Sequence, residues 1–190
     1  MGQTYGIKNM NKLNHDEQFR KTKVLPYDPT WPLQYASEAK KITALLEDNL
    51  IATHHIGSTA VSGLSAKPVI DILVVVKDIA ILENYKNRLE CLGYHWMGEY
   101  GISGRCYLWK RENDTIDFHL QCFQSDHIGS KHTLIFRDFL RQHPDKALQY
   151  AQAKEKASEK FPNDAHAYWY EKKPVVDALL QEALNWHKTN

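Results

Sequence analysis

Asp71 is the residue most out of place in this sequence. It stands within Val69-Ile70-Asp71-Ile72-Leu73-Val74-Val75-Val76, a run that is otherwise wholly apolar. A carboxylate in such a strand costs several kcal/mol unless it is paired, hydrogen-bonded or metal-bound. Asp71 is therefore read as a metal ligand at the accessible end of a strand. Upstream lies Gly57-Ser58-Thr59, where a strand runs into a helical turn. That arrangement suits phosphate. Glycine lets the backbone approach an anion, N–H groups at a helix start point towards it, and the Ser58 and Thr59 hydroxyls add donors. The bland alternative is an ordinary turn with a capping serine.

Other candidates gather around these two. Asp117, His119 and Gln121 alternate, so they share one face of a strand. Asp117 and His119 are read as metal ligands, with Asp117 also a catalytic carboxylate. Gln121 could bind a nucleotide or a hard metal through its amide oxygen, but it cannot shuttle protons. Glu99 and Arg105 bracket the loop Gly98-Glu99-Tyr100-Gly101-Ile102-Ser103-Gly104. Glu99 is a candidate ligand or base, and Arg105 a candidate phosphate clamp. Lys67 is a candidate phosphate contact. His55, next to the glycine-serine turn, could bind metal or orient phosphate. Tyr168 and Lys172 are helical i, i+4 neighbours that could close over an acidic ligand, and Arg137 could reach the same pocket. Against these stand solvent-facing charge for Asp117, loop anchoring for Glu99 and Arg105, and a satisfied half-buried ring for His55.

The elements that must position these groups follow from periodicity and punctuation. Residues 1–23 are polar and read as a flexible arm outside the core, which makes 24–190 a single domain. Pro26-Tyr27-Asp28-Pro29-Thr30-Trp31-Pro32 is a stiff opening segment, because each proline fixes its own φ and biases its predecessor. A helix follows to about Asp48-Asn49. Strands are expected at Ile51–Ile56 and Val69–Val76, and a helix from Asp78 to about Leu92. A strand at Tyr94–Met97 and a hairpin, Arg105–Arg111 with Thr115–Phe123, come next. Helices then run over Ile128–Gln142, Pro144–Lys160 and Asp164–Trp186, the last broken at Pro174. This order predicts an α/β (α+β) fold with a mixed sheet packed by helices, rather than a parallel doubly wound sheet.

Composition excludes several classes. The formal net charge is +1, which gives no broad basic field for duplex nucleic acid. Three widely spaced cysteines without a CxxC pair argue against a zinc knuckle. No apolar run reaches the roughly 20 residues of a membrane span, and a cytoplasmic location is expected.

The string His55-Ile56-Gly57-Ser58-Thr59-Ala60-Val61-Ser62-Gly63-Leu64-Ser65-Ala66-Lys67-Pro68-Val69-Ile70-Asp71-Ile72-Leu73-Val74 resembles the GrpB-like family, a branch of the nucleotidyltransferase superfamily. Agreement extends to Val24–Pro32, Gly98–Arg105, Phe136–Arg141 and Tyr168–Lys172. The resemblance implies a nucleotidyltransferase-like fold in which a glycine-serine turn holds a triphosphate and strand carboxylates hold Mg²⁺. It implies a nucleoside triphosphate and an unknown small-molecule or protein acceptor as partners. Two departures matter. Active nucleotidyltransferases place two carboxylates two residues apart on one strand, whereas Val69 and Leu73 flank Asp71 at that spacing. The family tends to show His-x-His where this chain has His119 and Gln121. The expected function is Mg²⁺-dependent nucleotidyl transfer. The alternatives are a non-catalytic nucleotide- or ligand-binding module on the same fold, a partner-binding protein, and a metal-dependent hydrolase using His55, Asp71 and His119.

Overall fold

The computed structural model describes residues 22–112 and 116–189. All of the expected arm except Thr22 and Lys23 therefore lies outside the described residues, as does the hairpin tip. Helix α1, Trp31–Leu46, starts with Pro32 in its first turn and buries Trp31, Ala39, Ile42, Leu45 and Leu46. A 3₁₀ turn, Glu47–Asn49, leads into strand β1, Leu50–Ile56. After the 3₁₀ turn Ser58–Ala60 comes β2, Val69–Val76. Helix α2, Lys86–Cys91, and the short strand β3, His95–Trp96, precede the hairpin of β4, Arg105–Glu112, and β5, Ile116–Gln124. Helices α3, Ile128–Gln142, α4, Pro144–Lys160, and α5, Ala165–Thr189, complete the chain.

The five strands form one mixed sheet in the order β1-β2-β5-β4-β3. Only β2 and β5 are parallel; the other pairs are antiparallel. The apolar run of β2 is central and covered on both sides, as a continuous hydrophobic strand requires. Ile70, Ile72, Val74 and Val76 pack with Ile42 and Leu46 of α1. Leu73 and Val75 pack on the opposite face with Ile56 and Phe123. Leu134 of α3 packs against that second face, on which Asp71 also stands.

Two expectations need correction. The helix expected from Asp78 to Leu92 is a 3₁₀ segment, Ala80–Tyr85, followed by the short α2. The break expected at Pro174 does not occur, and α5 runs through it. Proline removes one i→i−4 bond, here to the Tyr170 carbonyl. Both residues are exposed, so water can replace that donor.

Beneath α1 lies a buried ion pair. Lys110 Nζ stands 2.7 Å from Glu38 Oε1, with the two side chains 7% and 1% exposed. Tyr94 and Lys41 also donate to Glu38. Burial alone would raise the Glu38 pKa, but its bonds to Lys110 and Lys41 hold it below the usual carboxylate value. This stabilisation is present above the unfolded pKa and is lost as pH falls through the folded one. Removing one partner strands the other charge. Lys110→Met is expected to cost about 3–5 kcal/mol, read as a lower urea midpoint at neutral pH.

Candidate functional site

The glycine-serine turn lies directly against the Asp71 carboxylate. Gly57 has φ +70, and a Cβ placed there would stand 2.4 Å from Asp71 Oδ2. No side chain fits in that gap, and L-residues avoid that φ. The turn next to it leaves the first amides, those of Ser58 and Thr59, without acceptors inside the turn. The Ser58 hydroxyl bonds to the phenol of Tyr150, which is buried in α4. Asp71 pairs with His119 in the β2–β5 register, and His119 Nδ1 lies 3.5 Å from Asp71 Oδ1.

These residues line a cavity of about 420 Å³. Lys67, Lys154, Lys172 and Arg105 also line it, along with Gln121, Tyr100, Tyr107, Tyr168 and Trp169. Asp71 is the one carboxylate in that lining. Arg105 is fixed by the loop: its guanidinium donates to the Glu99 and Tyr100 carbonyls and lies 5.0 Å from the Tyr107 ring centroid. Lys67 and Lys172 each stand 4.8 Å from the centroid of the buried Tyr168 ring. Lys154, 1% exposed, donates to the Ser65 carbonyl and lies 4.5 Å from the Tyr150 centroid.

The two helix lysines are electrostatically unsatisfied. Burial, with Lys172 nearby, pushes Lys154 down to about 7. Burial pushes Lys172 down to about 8, although Asp71 pulls the other way. Low dielectric disfavours an ammonium that lacks a close carboxylate. Arg105 is also lowered, chiefly by burial. Among the described residues, Lys154, Lys172 and Arg105 therefore put more positive charge in the cavity wall than Asp71 balances.

The structure brings together Gly57, Ser58, Lys67, Asp71, Arg105, His119, Gln121, Tyr168 and Lys172. Thr59 also lines the cavity, but its hydroxyl is committed, donating to Val69 O at 2.9 Å and bonding to His55 Nε2 at 3.0 Å. The other sequence candidates stand elsewhere. Asp117 lies one step along the His119 face, held by Arg111 Nε at 2.8 Å and Nη2 at 3.3 Å. The Glu99 carboxylate accepts from Gly104 N at 2.7 Å and anchors the loop. His55 pairs with Ile72, stacks on Tyr35 at 4.9 Å and so belongs to the α1 face of the sheet. Burial pushes it down to about 4, which keeps it neutral. His55, Asp71 and His119 thus do not converge as the hydrolase alternative needs. Arg137 is paired with Asp138 at 2.7 Å and 3.0 Å and borders a neighbouring cavity. Lys154 and Tyr150 escaped sequence reading. The available signal was a lysine within the buried stripe Tyr150, Ala151, Lys154, Ala157 of α4.

This donor set fits a single magnesium ion and not a pair. Mg²⁺ is commonly held by one or two carboxylates together with substrate phosphates. A two-ion site needs ligands bridging ions about 4 Å apart. Asp117 and Glu99, the carboxylates that would complete it, are engaged elsewhere. Among the described residues there is no group of three His, Cys, Asp or Glu side chains arranged to hold a metal.

Comparison with known proteins adds context to this geometry. The family model described as GrpB protein matches residues 21–182. The UPF0157 protein YqkA of Bacillus subtilis is 30% identical over 169 residues, covering 89% of this chain and 49% of the relative. This chain thus spans about half the length of that relative. The crystal structure of conserved protein GrpB from Enterococcus faecalis superposes with a TM-score of 0.82 at 34% identity, covering 87% of this chain and 99% of that one. Terminal uridylyl transferase 4 from Trypanosoma brucei, with bound dUTP, gives a TM-score of 0.52 at 12% identity, covering 83% and 55%. At that identity the likeness is one of fold, and the fold is nucleotidyltransferase-like. No described helix is long and apolar enough to cross a membrane.

The contact between Gly57 and Asp71 yields a direct prediction. Gly57→Ala is expected to lose more than the ~1–2 kcal/mol of a left-handed alanine, because the carboxylate must also move. Urea unfolding measures that loss, and a near-neutral result would mean the turn is not seated on Asp71.

Proposed function

The chain belongs to the GrpB family, and we propose that it binds a nucleoside triphosphate in the cationic cavity and transfers the nucleotidyl group to an acceptor hydroxyl. The single observation that carries this reading is the charge balance of the cavity. Among the described residues, Lys154, Lys172 and Arg105 line the cavity with one carboxylate, Asp71, beside the Gly57-Ser58 turn. A ligand that completes such a site is a polyanion. The fold neighbour with bound dUTP makes a nucleoside triphosphate the natural choice.

In this reading the Ser58 hydroxyl and the first amides of its turn bind phosphate oxygens. Lys67, Lys154 and Lys172 neutralise the triphosphate. Arg105, held rigid by backbone carbonyls, presents its remaining donors without reorganising, which favours charge developing in the transition state. Asp71, with Gln121 from the same cavity wall, would hold one Mg²⁺, which would supply charge neutralisation at the phosphates. His119, backed by Asp71, is placed as the proton acceptor; a carboxylate fixes the orientation of an imidazole base.

A non-catalytic nucleotide-binding module is the second reading, favoured by a specific observation. Both carboxylates that could complete a two-ion site, Asp117 and Glu99, are committed to Arg111 and Gly104. The two readings share the cavity and differ only in turnover.

Titration calorimetry with the four nucleoside triphosphates, with and without Mg²⁺, tests the shared part. Binding is expected, and Lys172→Met should weaken it at least about tenfold, or 1.4 kcal/mol. Asp71→Ala should remove its Mg²⁺ dependence. Lys154 and Lys172 carry charge below their lowered pKa values of about 7 and about 8, so affinity should fall as pH rises through that range. Near pH 8, binding should take up protons, seen as a heat that varies with the buffer's ionisation enthalpy. Absence of binding to any triphosphate would overturn the reading.

A further inference from the structure

A second cavity, of about 240 Å³, meets the cationic one at Asp71. Gly57, Asp71, Gln121 and Tyr150 line both. The remaining walls differ in character. Ile56 from β1, Phe136 and Leu140 from α3, and Val176 and Leu180 from α5 make the second cavity largely apolar. Its charged groups are Asp71, at the shared boundary, and Arg137, which is already balanced. The Arg137 guanidinium is held by both Asp138 carboxylate oxygens and donates to the His55 carbonyl at 3.1 Å. The Thr133 hydroxyl donates to Gly129 O at 2.8 Å, which leaves its oxygen available as an acceptor. Burial lowers His132, which favours the neutral ring.

We propose that this second cavity is the acceptor site and takes a small uncharged alcohol with an apolar body. The assignment rests on the nucleotidyl-transfer reading above. A transfer enzyme must bring two substrates to one reacting point, and two compartments that share Asp71 do so. With Asp71 committed to Mg²⁺ in that reading and Arg137 paired with Asp138, the cavity has little to offset the desolvation of a charged ligand. Size sets the class. An apolar cavity of about 150 Å³ holds a benzene ring, so this one has room for a ring or a short branched chain bearing a hydroxymethyl group. It has no room for an extended peptide.

In the transfer the alcohol oxygen attacks the α-phosphorus from the Asp71 side. A new oxygen–phosphorus bond forms, the bond from the α-phosphorus to the α–β bridging oxygen breaks, and pyrophosphate leaves with that electron pair. The hydroxyl proton passes to the Asp71–His119 pair. Gln121, which lines both compartments, orients the hydroxyl.

Benzyl alcohol serves as the probe, followed by methyl-labelled NMR on the full chain. The Val176 and Leu180 methyl resonances are expected to shift with it, and to shift equally when the protein is saturated with the triphosphate and Mg²⁺. Val176→Trp should weaken the alcohol at least about tenfold while leaving triphosphate affinity unchanged. Leu180→Phe carries the same expectation at a half-buried position, should the tryptophan variant fail to fold. Displacement of the alcohol by triphosphate, or unchanged alcohol binding in both variants, would overturn the proposal. Triphosphate binding without alcohol binding would overturn the acceptor site alone. Alcohol binding without any triphosphate binding would instead overturn the transfer reading, and the acceptor assignment with it.

Discussion

Positive charge held out of water, with too little negative charge beside it, is the constraint on which the rest of the site depends. Lys154 is buried against Tyr150 and bonded only to a backbone carbonyl, and Lys172 sits beside Tyr168. Each ammonium gives up hydration that Glu155, for Lys154, and Asp71, for Lys172, offset only in part. Burial consequently lowers both pKa values towards neutrality. Stability alone would favour methionine at such positions. The contrast within this chain is informative. Lys110, equally buried, has Glu38 at 2.7 Å and belongs to the core, not to the site. Among the described residues, Lys154 and Lys172 have no carboxylate as close as that, and a polyanionic ligand would provide one.

Asp71 gives this cavity its second property. It stands where the parallel pair β2–β5 meets the turn after β1, and Gly57 allows the backbone to come within a distance that any Cβ would forbid. The same carboxylate therefore lies against the glycine-serine turn, faces His119 and borders the apolar compartment lined by α3 and α5. The fold places one acidic group at the junction of a cationic chamber and a neutral one. The loop Gly98–Gly104 completes the wall, held by Glu99, Arg105 and His127 instead of by regular secondary structure.

What could be read in the sequence was whatever depended on local type and spacing. Asp71 violated an apolar strand, and Gly57-Ser58 interrupted another, so both were visible. The α+β order was legible for the same reason, since strands and helices were punctuated by glycine and proline. Partner choice across strands was not. Asp117 and Glu99 have the right chemistry, but Arg111 and the Gly104 amide occupy them, and nothing in their spacing reveals that. His55 lies next to the turn in sequence, yet the period of two turns it to the α1 face, since the neighbouring Ile56 is the residue that shares the face of Asp71. Lys154 was detectable in principle as a charge inside the apolar stripe of α4. Its distance from the motif in sequence hid it, because only the packing of α4 with α3 and α5 brings it into the cavity that Asp71 lines.

The most direct test of the central claim is a crystal structure grown with a non-hydrolysable nucleoside triphosphate analogue and Mg²⁺. Triphosphate density is expected between the Ser58 turn and Lys67, Lys154 and Lys172, with one metal ion at Asp71. An analogue bound elsewhere on the protein, or a cavity that holds only water at saturating analogue, would contradict it.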